Sequence, residues 1–583
     1  MSGRNCTLFF SFIFLACSAF IGSLASNLNA DPGYYPAPEL NREEAARQVI
    51  DSVAYAINSP DPPVDCATIS ILNVKEAASA DDSRFNPFLK YLMTKPSLQD
   101  ESIHRTPEGN FLIHYTKDRG TIDAVPLPDH NKNSIPDYVE TIGEALEEAR
   151  RFYIEMLGYR NPIDRFAPGK PCEVFVLNLG GKATGATIPV QDVSSSSENR
   201  AASFIMIDNM ILGDSIILKS SAAHQYAHAI TLAYSLKNES WWTEAAAIWL
   251  EDRLYHTLPK YLDSIAFRLH SKGKALNTDD IRLFQGNTLW TFFLGEKDVN
   301  LVRKIWEEME LFPEASLLEV FAKVLEREGH GTLQENFSDY AIWNHFTGSR
   351  DDGNHFLFAG LLPDPEFDSS YSCYPVAGIQ VDNPLESLGM SFIRFESERT
   401  RGALIVSFDG DQSCRWDVDM LIVSDNPPYY FKAKMDLSPA GYGTIGVPWE
   451  RVSEVIMIVK NIDCKDESSG KYSYMASHDP SYPFEFNFFN TSEEDGKIAI
   501  LWETGSETNL YGWNVYRSVE PEKNFSRINE IIIPALGDSS TPIIYKFIDD
   551  SARGSVKYYY YVEGVTCEGL SSRSFVSSTQ IKK

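Results

Sequence analysis

Two histidines one helical turn apart give this sequence its clearest capacity for chemistry. His224 and His228 occur in the pentapeptide HQYAH, inside an alanine-rich stretch at 220–234 that predicts a helix. Side chains at positions i and i+4 lie on the same face of a helix, so both imidazoles can reach one zinc ion. The alternative interpretation is a buried pair of structural histidines that holds no metal.

A third ligand for such an ion is available on the next predicted helix. The stretch WTEAAAIWLED at 242–252 carries Glu244, and a strand-like run at 204–208 precedes the histidine helix. An inward-facing Glu244 would supply a third protein ligand and leave the fourth position open for water, as in catalytic zinc sites. The other histidines considered are interpreted as ordinary surface or core residues: His104, His114 and His256.

Residues 129–140, with the sequence DHNKNSIPDYVE, place oxygen donors at the spacing of a calcium-binding EF-hand loop. The loop would gather these donors around one ion: Asp129, Asn131, Asn133, the backbone carbonyl of Ile135, Asp137 and Glu140. Two features depart from that pattern, because Ser134 replaces the usual glycine and Pro126 and Pro128 exclude an entering helix. The alternative is a polar turn that caps the helix beginning near Pro136.

The elements that would position these residues form an α+β region followed by two all-β regions. Short strands are predicted at 111–115 and 173–177, a helix at 138–157, and mainly helices at 257–345. Short β-rich runs follow residue 351, and 477–483 is interpreted as a linker. The predicted segments are a signal peptide at 1–25, a propeptide-like lead-in at 26–100, an α+β domain at 101–350, a β-sandwich at 351–480 and a second β-domain at 484–583.

The N-terminus predicts export from the cytoplasm, and the net charge limits the classes of binding partner. Arg4, an apolar stretch at 7–22 and small residues at 23–25 are typical of a signal peptide, which predicts a secreted or cell-envelope protein. An alternative is a lipobox that anchors the chain through Cys17. No run reaches the roughly 18 apolar residues of a membrane span, so none is predicted. With 52 basic and 81 acidic residues the net charge is −29, which argues against nucleic acid as the main partner.

The paired motifs resemble the gluzincin metallopeptidases. More specifically, the sequence resembles a family of bacterial secreted zinc metalloproteases that combine an HExxH helix with a downstream WxExxAxWxED helix, matched here at 242–252. The resemblance covers about residues 95–480 and includes FLIHYT at 111–116 and WNHFTG at 343–348. It implies a zincin-like fold in which His224, His228 and Glu244 bind zinc. It also implies that Glu251, one helical face along from Glu244, orients a ligand. A separate block, KYYYYVE at 557–563, resembles the penultimate strand of a fibronectin type III domain.

One departure from this family bears directly on function. The family's catalytic glutamate, the general base, is matched here by Gln225, and an amide cannot accept a proton near neutral pH. Losing a general base lowers the rate by about a hundredfold to ten-thousandfold. The sequence therefore predicts a zinc metallopeptidase homologue with little or no peptidase activity, which binds peptide or protein through its cleft. Two alternatives are an active zinc endopeptidase with Glu251 or Glu239 as its base, and an adhesion or scaffold protein acting through its β-domains.

Overall fold

The structure is a computed structural model, and it describes residues 64–69, residue 72 and most of 94–581. Within 94–581 the residues left out are 165, 181–182, 191–199, 212, 238, 279, 398–401, 426–427, 450–451, 466–467, 480–483, 495, 508–509, 522, 537–541, 555, 567–570 and 575. The predicted signal peptide and Cys17 lie outside the described residues. Among the described residues, no helix combines the length and the apolar character needed to cross a bilayer.

The chain divides into two compact units, and both are discontinuous in sequence. The first contains the described residues up to His270, together with Asn277–Asn336 and Phe346–Pro363. The second contains Ser271–Leu276, Phe337–His345 and the chain from Asp364 onwards. The overall class is mixed α/β, with most of the helices in the first unit and most of the strands in the second.

A six-stranded mixed sheet forms the base of the first unit, in the order β1-β5-β6-β4-β3-β2. Its strands are β1 (Val64–Cys66), β2 (Glu101–Arg105), β3 (Phe111–Thr116), β4 (Cys172–Leu177), β5 (Ala183–Val190) and β6 (Ala202–Asp208). The pairs β1/β5, β3/β4 and β4/β6 are parallel, and β5/β6 and β2/β3 are antiparallel. The strand runs predicted at 111–115, 173–177 and 204–208 are confirmed. Strand β1, at one edge of the sheet, comes from the segment that the sequence marked as a lead-in.

Nine α-helices are described, and two of them cover the sequence motifs. They are α1 (Asp137–Arg150), α2 (Ser215–Tyr234), α3 (Ser240–Tyr255), α4 (Leu262–His270), α5 (Ile281–Phe284), α6 (Thr288–Lys297), α7 (Leu301–Leu311), α8 (Leu317–Arg327) and α9 (Leu333–Trp343). The helix predicted at 138–157 is α1 continued by a π-helical turn, Arg151–Met156. Helix α2 begins where the Asp214 carboxylate accepts a hydrogen bond from the Ile216 N–H. It is apolar on nearly all sides because it packs between the sheet and helices α1 and α3.

A β-sandwich makes up the first part of the second unit. One sheet has the order β13-β12-β15-β10-β7 and the other β14-β11-β17-β8, with a small β16-β9 pair beside them. Their ranges are β7 (Ser369–Tyr371), β8 (Val376–Gln380), β9 (Leu385–Glu386), β10 (Met390–Glu396), β11 (Ala403–Gly410), β12 (Trp416–Asp425), β13 (Pro428–Lys434), β14 (Tyr442–Pro448), β15 (Val452–Asn461), β16 (Ser469–Gly470) and β17 (Tyr472–Asp479). Phe395, Val418 and Val459 of one sheet share a buried core with Leu404, Val447 and Tyr474 of the other.

The linker predicted at 477–483 is wrong for its first residues. Ser477, His478 and Asp479 belong to β17 and pair with Ile405, Leu404 and Ala403 of β11. The polar, proline-containing sequence suggested a break, but the pairing with β11 extends the strand because β17 lies inside the sheet between β11 and β8. Residues 480–483 lie outside the described residues.

The remaining strands form a second all-β region around its own core. They are β18 (Phe484–Glu494), β19 (Lys497–Glu507), β20 (Leu510–Ser518), β21 (Ser526–Arg527), β22 (Ile533–Pro534), β23 (Ile543–Asp549), β24 (Lys557–Thr566), β25 (Ser571–Arg573) and β26 (Ser577–Gln580). The sheet β18-β19-β23 and the sheet built on β20 and β24 share buried residues that include Trp502, Trp513 and Tyr560. The Tyr558 hydroxyl accepts a hydrogen bond of 3.2 Å from the Arg553 N–H in the preceding loop.

Candidate metal centre

Helices α2 and α3 place the three residues of the predicted zinc site side by side. The His224 Nε2 and His228 Nε2 atoms are 3.0 Å apart. The Glu244 Oε2 atom lies 3.8 Å from His224 Nε2 and 3.4 Å from His228 Nε2. All three side chains are buried, and the two helices pack directly against each other. The spacing that the sequence suggested therefore brings all three side chains to one point.

A fourth candidate ligand, Cys66, was not predicted from the sequence. The Cys66 Sγ atom lies 3.2 Å from His228 Nε2, and the thiol is buried and outside any disulfide. Ligand atoms of Cys66, His224, His228 and Glu244 all lie within 4.8 Å of one another. Within the part of the chain that the structure describes, this is the one group of three or more His, Cys, Asp or Glu residues able to hold a metal ion.

Glu251 holds His224 from the side away from the cluster. Its Oε2 atom lies 2.9 Å from His224 Nδ1 and accepts a hydrogen bond of 2.6 Å from the Tyr261 hydroxyl. The Lys260 ammonium lies 3.6 Å from the other Glu251 oxygen. A carboxylate that accepts from Nδ1–H leaves the Nε2 lone pair facing the cluster, which is the tautomer a metal ligand requires. The orienting role that the family resemblance gave to Glu251 fits this geometry.

Gln225 is fixed by hydrogen bonds on both ends of its amide. Its Oε1 accepts from the Thr68 and Thr187 hydroxyls at 3.1 and 2.9 Å, and its Nε2 donates to Cys66 Sγ at 3.3 Å. The Thr68 hydroxyl itself accepts from the Thr187 N–H at 2.9 Å, so its proton is available for the Gln225 oxygen. The amide therefore presents its NH₂ group to the sulfur and its oxygen away from it.

Before a metal ion binds and displaces the imidazole protons, the cluster stabilises charged forms of its members. Burial raises the pKa of Cys66, but the neighbouring His228 imidazolium and hydrogen bonds from the histidines lower it, to about 6 overall. Burial and the Glu173 carboxylate instead raise the pKa of the Cys172 thiol to about 12, although the Lys95 ammonium opposes them. Burial would lower the pKa of His224, yet the Glu244 carboxylate raises it well above the usual value. The pKa of Glu244 is held far below its usual range, since the two imidazoles outweigh the effect of burial.

The residues fit a zinc ion. Ligands held about 2.0–2.3 Å from zinc at tetrahedral angles lie about 3.3–3.7 Å from one another. The separations of 3.0, 3.2, 3.4 and 3.8 Å between cluster atoms are close to those values. In addition, the buried Glu244 Oε2 atom makes no well-formed hydrogen bond, as expected of an oxygen whose partner is a cation.

The predicted calcium loop, residues 129–140, runs into α1, so that Asp137 and Glu140 lie in the first turn of that helix. The amides of Asn131 and Asn133 donate to the Glu140 carboxylate at 2.9 and 2.6 Å. The Ser134 N–H donates to Asp129 at 2.8 Å, while Asp137 pairs with His130. Ser134 has a φ of 73°, the left-handed conformation that glycine usually adopts at this position. At this position the backbone has the conformation that the pattern requires, and calcium binding stays a prediction.

Sequence reasoning missed Cys66 together with Thr68 and Thr187. No spacing rule connects Cys66 to the histidine motif, because their proximity depends on β1 pairing with β5. Thr68 follows β1 and Thr187 lies in β5, so the same pairing brings both hydroxyls to Gln225. The one available signal was a lone cysteine in a segment rich in small and β-branched residues, which does not identify a ligand.

Comparisons with known proteins leave the centre to be interpreted from its own residues. No protein-family model matches the chain, and no curated protein matches it. Among solved structures, the chain is similar to a pectate lyase from Pectobacterium carotovorum at 23% identity and a TM-score of 0.14, covering 16% of this chain and 27% of the lyase.

Two further structures show likenesses of the same order. An Fn3-like protein from Clostridium thermocellum is 17% identical with a TM-score of 0.13, covering 17% of this chain and 88% of that protein. A β-1,2-glucanase from Parabacteroides distasonis is 11% identical with a TM-score of 0.13, covering 36% of this chain and 37% of the glucanase. TM-scores this low support no inference about fold or activity.

Proposed function

We propose that this protein is a zinc-binding homologue of the secreted gluzincin metallopeptidases that lacks hydrolytic activity. One observation carries the proposal: His224, His228 and Glu244 converge, while a neutral amide occupies the helix position of the general base. A zinc ion with an open position acts as a Lewis acid in peptide hydrolysis. That chemistry also needs a group that accepts a proton, and the Gln225 amide cannot do so.

The two carboxylates considered as substitute bases are engaged elsewhere. Glu251 accepts from His224 Nδ1 and from the Tyr261 hydroxyl, on the side of the imidazole away from the cluster. The Glu239 carboxylate, just before α3, lies 3.7 Å from the Lys237 ammonium. The alternative of an active endopeptidase with one of these bases is therefore the weaker proposal.

Zinc content and peptidase activity, measured on the same preparations, test this function. The wild type should contain about one zinc ion per chain, and His228→Ala should lose it because one of the ligands is removed. Wild-type cleavage of casein and of mixed peptides should not exceed that of His228→Ala. Zinc-dependent cleavage by the wild type would contradict the proposal, and so would a wild type without zinc.

Location outside the cytoplasm is part of the same proposal and rests on the predicted signal peptide. Binding of a peptide or protein ligand also stays a prediction. An extended peptide would need a free strand edge beside the cluster, and the edge of β5 there is already paired with β1. A scaffold role for the two all-β regions is the remaining alternative. It predicts that a chain lacking zinc, such as His228→Ala, keeps its biological effect.

A further inference from the structure

We propose that Cys66 is the fourth ligand of the metal centre and that Gln225 supports its thiolate, which makes the centre a closed structural site that fastens β1 to the sheet. This inference rests on the proposed zinc binding. It goes beyond it by assigning the coordination position that a catalytic zinc site leaves open.

Geometry places the sulfur where a fourth ligand belongs. Cys66 Sγ lies 3.2 Å from His228 Nε2, which is close to the distance between two ligand atoms of a tetrahedral zinc site. It also lies within 4.8 Å of the ligand atoms of His224 and Glu244. Four protein ligands fill a tetrahedral zinc site and leave no position for substrate, which is the arrangement of structural sites. When the ion binds, the thiol proton leaves to solvent and the sulfur lone pair forms the new bond.

The backbone delivers Cys66 to this place with defined register. Strand β1 runs parallel to β5, with Cys66 opposite Gly185, and the Ala67 N–H donates to the Gly185 carbonyl at 3.0 Å. The Thr68 N–H donates to Cys66 Sγ at 3.4 Å, from two residues further along the chain. A backbone donor aimed at the sulfur supports its anionic form.

Gln225 has the chemistry that a thiolate neighbour requires. Its Nε2 donates to Cys66 Sγ at 3.3 Å, so the sulfur receives one hydrogen bond from this side chain and one from the backbone of Thr68. A glutamate in its place would set a second anion against the thiolate in a buried position, where like charges repel strongly. Gln225 therefore positions the sulfur ligand, in addition to being unable to act as a general base.

Gly185 gives Gln225 the room for this contact. A Cβ atom on Gly185 would approach Gln225 Cγ to 2.7 Å and the Met206 carbonyl oxygen to 2.9 Å.

The charge of the proposed ligand set also supports Cys66 as a thiolate ligand. Two neutral imidazoles, one carboxylate and one thiolate carry two negative charges, which neutralise a divalent ion in a fully buried site.

Cobalt(II) substitution tests the assignment by spectroscopy. The full chain, freed of metal with a chelator, is titrated with cobalt(II) chloride while its absorbance is recorded. Wild-type protein should bind one cobalt ion with a near-ultraviolet thiolate-to-cobalt charge-transfer band. Cys66→Ser should lose that band, and Cys172→Ser, which removes another buried thiol of the same unit, should keep it. In Gln225→Glu, cobalt affinity should fall about 10- to 100-fold and the band should shift in energy.

The ways in which this test can fail are distinguishable. If one cobalt ion binds without the charge-transfer band, Cys66 is not a ligand although the proposed function stands. If neither cobalt nor zinc binds, both proposals fail. Unchanged affinity and an unshifted band in Gln225→Glu would overturn the role of Gln225.

A second measurement needs only the wild type and decides the matter if Cys66→Ser does not fold. Zinc should protect Cys66 from alkylation by iodoacetamide, and the chelator should remove that protection, as mapped by peptide mass spectrometry. Equal alkylation rates with and without zinc would overturn the proposal.

Discussion

At the scale of single residues, Gln225 has two consequences that belong together. As an amide it cannot serve as a general base, and as a donor it makes a hydrogen bond of 3.3 Å to Cys66 Sγ. A catalytic site would need both an ionisable group at this position and an open coordination position. If Cys66 is the fourth ligand, the chain has neither, and restoring one of them alone should be insufficient.

The double variant Gln225→Glu with Cys66→Ala should gain zinc-dependent peptidase activity. The introduced carboxylate would supply the base, and loss of the thiol would open a position for water, so cleavage should rise at least about a hundredfold over wild type. Each single variant should remain inactive in the same peptide cleavage assay. Activity in Gln225→Glu alone, equal to that of the double variant, would show that Cys66 does not block the site.

Glu296 should make the first unit sensitive to pH. Burial raises the pKa of Glu296 to about 7, even though the Leu357 N–H and Arg253 oppose the shift. The folded state therefore binds a proton that the unfolded chain has released, and the free energy of unfolding falls as the pH rises from about 4.5 to about 7. Glu296→Gln should be more stable than wild type by about 1 kcal/mol at pH 8, allowing for partial solvent screening, and by little below pH 4.5.

Urea denaturation at pH 4.5, 6 and 8 checks this prediction. Glu314→Gln, at an exposed position, is the matched control for removing one charge from an acidic chain. A stability gain in Glu296→Gln that stays the same at all three pH values would contradict the assignment.

At the scale of elements, the local sequence pattern was sufficient to predict some helices but not the π-helical turn or the edge strand. Helices α2 and α3 could be predicted because their periodicity and alanine content are local properties, and the i,i+4 rule then places His224 beside His228. The continuation of α1 as a π-helical turn, Arg151–Met156, has no comparable local signal. Strand β1 is three residues long and exists as a strand because β5 offers it an edge, which is a tertiary effect.

Residues 129–140, which include the first turn of α1, should bind calcium, and the bound ion should stabilise that helix. Calcium at a hundredfold excess over its Kd should raise the free energy of unfolding by about 2.7 kcal/mol, seen as a higher melting temperature. Asp129→Asn preserves the size of the side chain but removes its charge, so the calcium-induced shift should shrink or disappear. An unchanged melting temperature, with no calcium detected by elemental analysis of wild type, would contradict calcium binding.

At the scale of the whole molecule, the secondary structure that a segment's sequence predicts does not determine which compact unit the segment joins. Ser271–Leu276 and Phe337–His345 lie within the helical part of the sequence, yet they belong to the second compact unit. Helical periodicity reports which element a segment forms and not which core that element joins. The two all-β regions were predictable as β-rich because alternation and turn residues are local. The extent of β17 was not, because its last residues are fixed by pairing with β11.

Removal of zinc should loosen β1, whose Cys66 lies 162 residues before His228 in the sequence. If the ion joins β1 to α2, a chelator should speed amide hydrogen exchange at residues 64–69 and in β5, where the Ala67 N–H bonds to Gly185. Mass spectrometry of proteolytic peptides measures this, and peptides from β10 to β17 in the other unit serve as the internal reference. Exchange at 64–69 that is equally fast with and without zinc would contradict the link.

The sequence distance between Cys66 and His228 also sets the order in which the centre can form. The two residues are 162 positions apart, whereas the histidines and Glu244 lie on successive helices. Closing the longer loop costs more chain entropy, and β1 joins the sheet by pairing with β5. We therefore expect the contacts among His224, His228 and Glu244 to form before Cys66 docks. Until Cys66 docks, the centre would keep the open coordination position that the sulfur is proposed to fill.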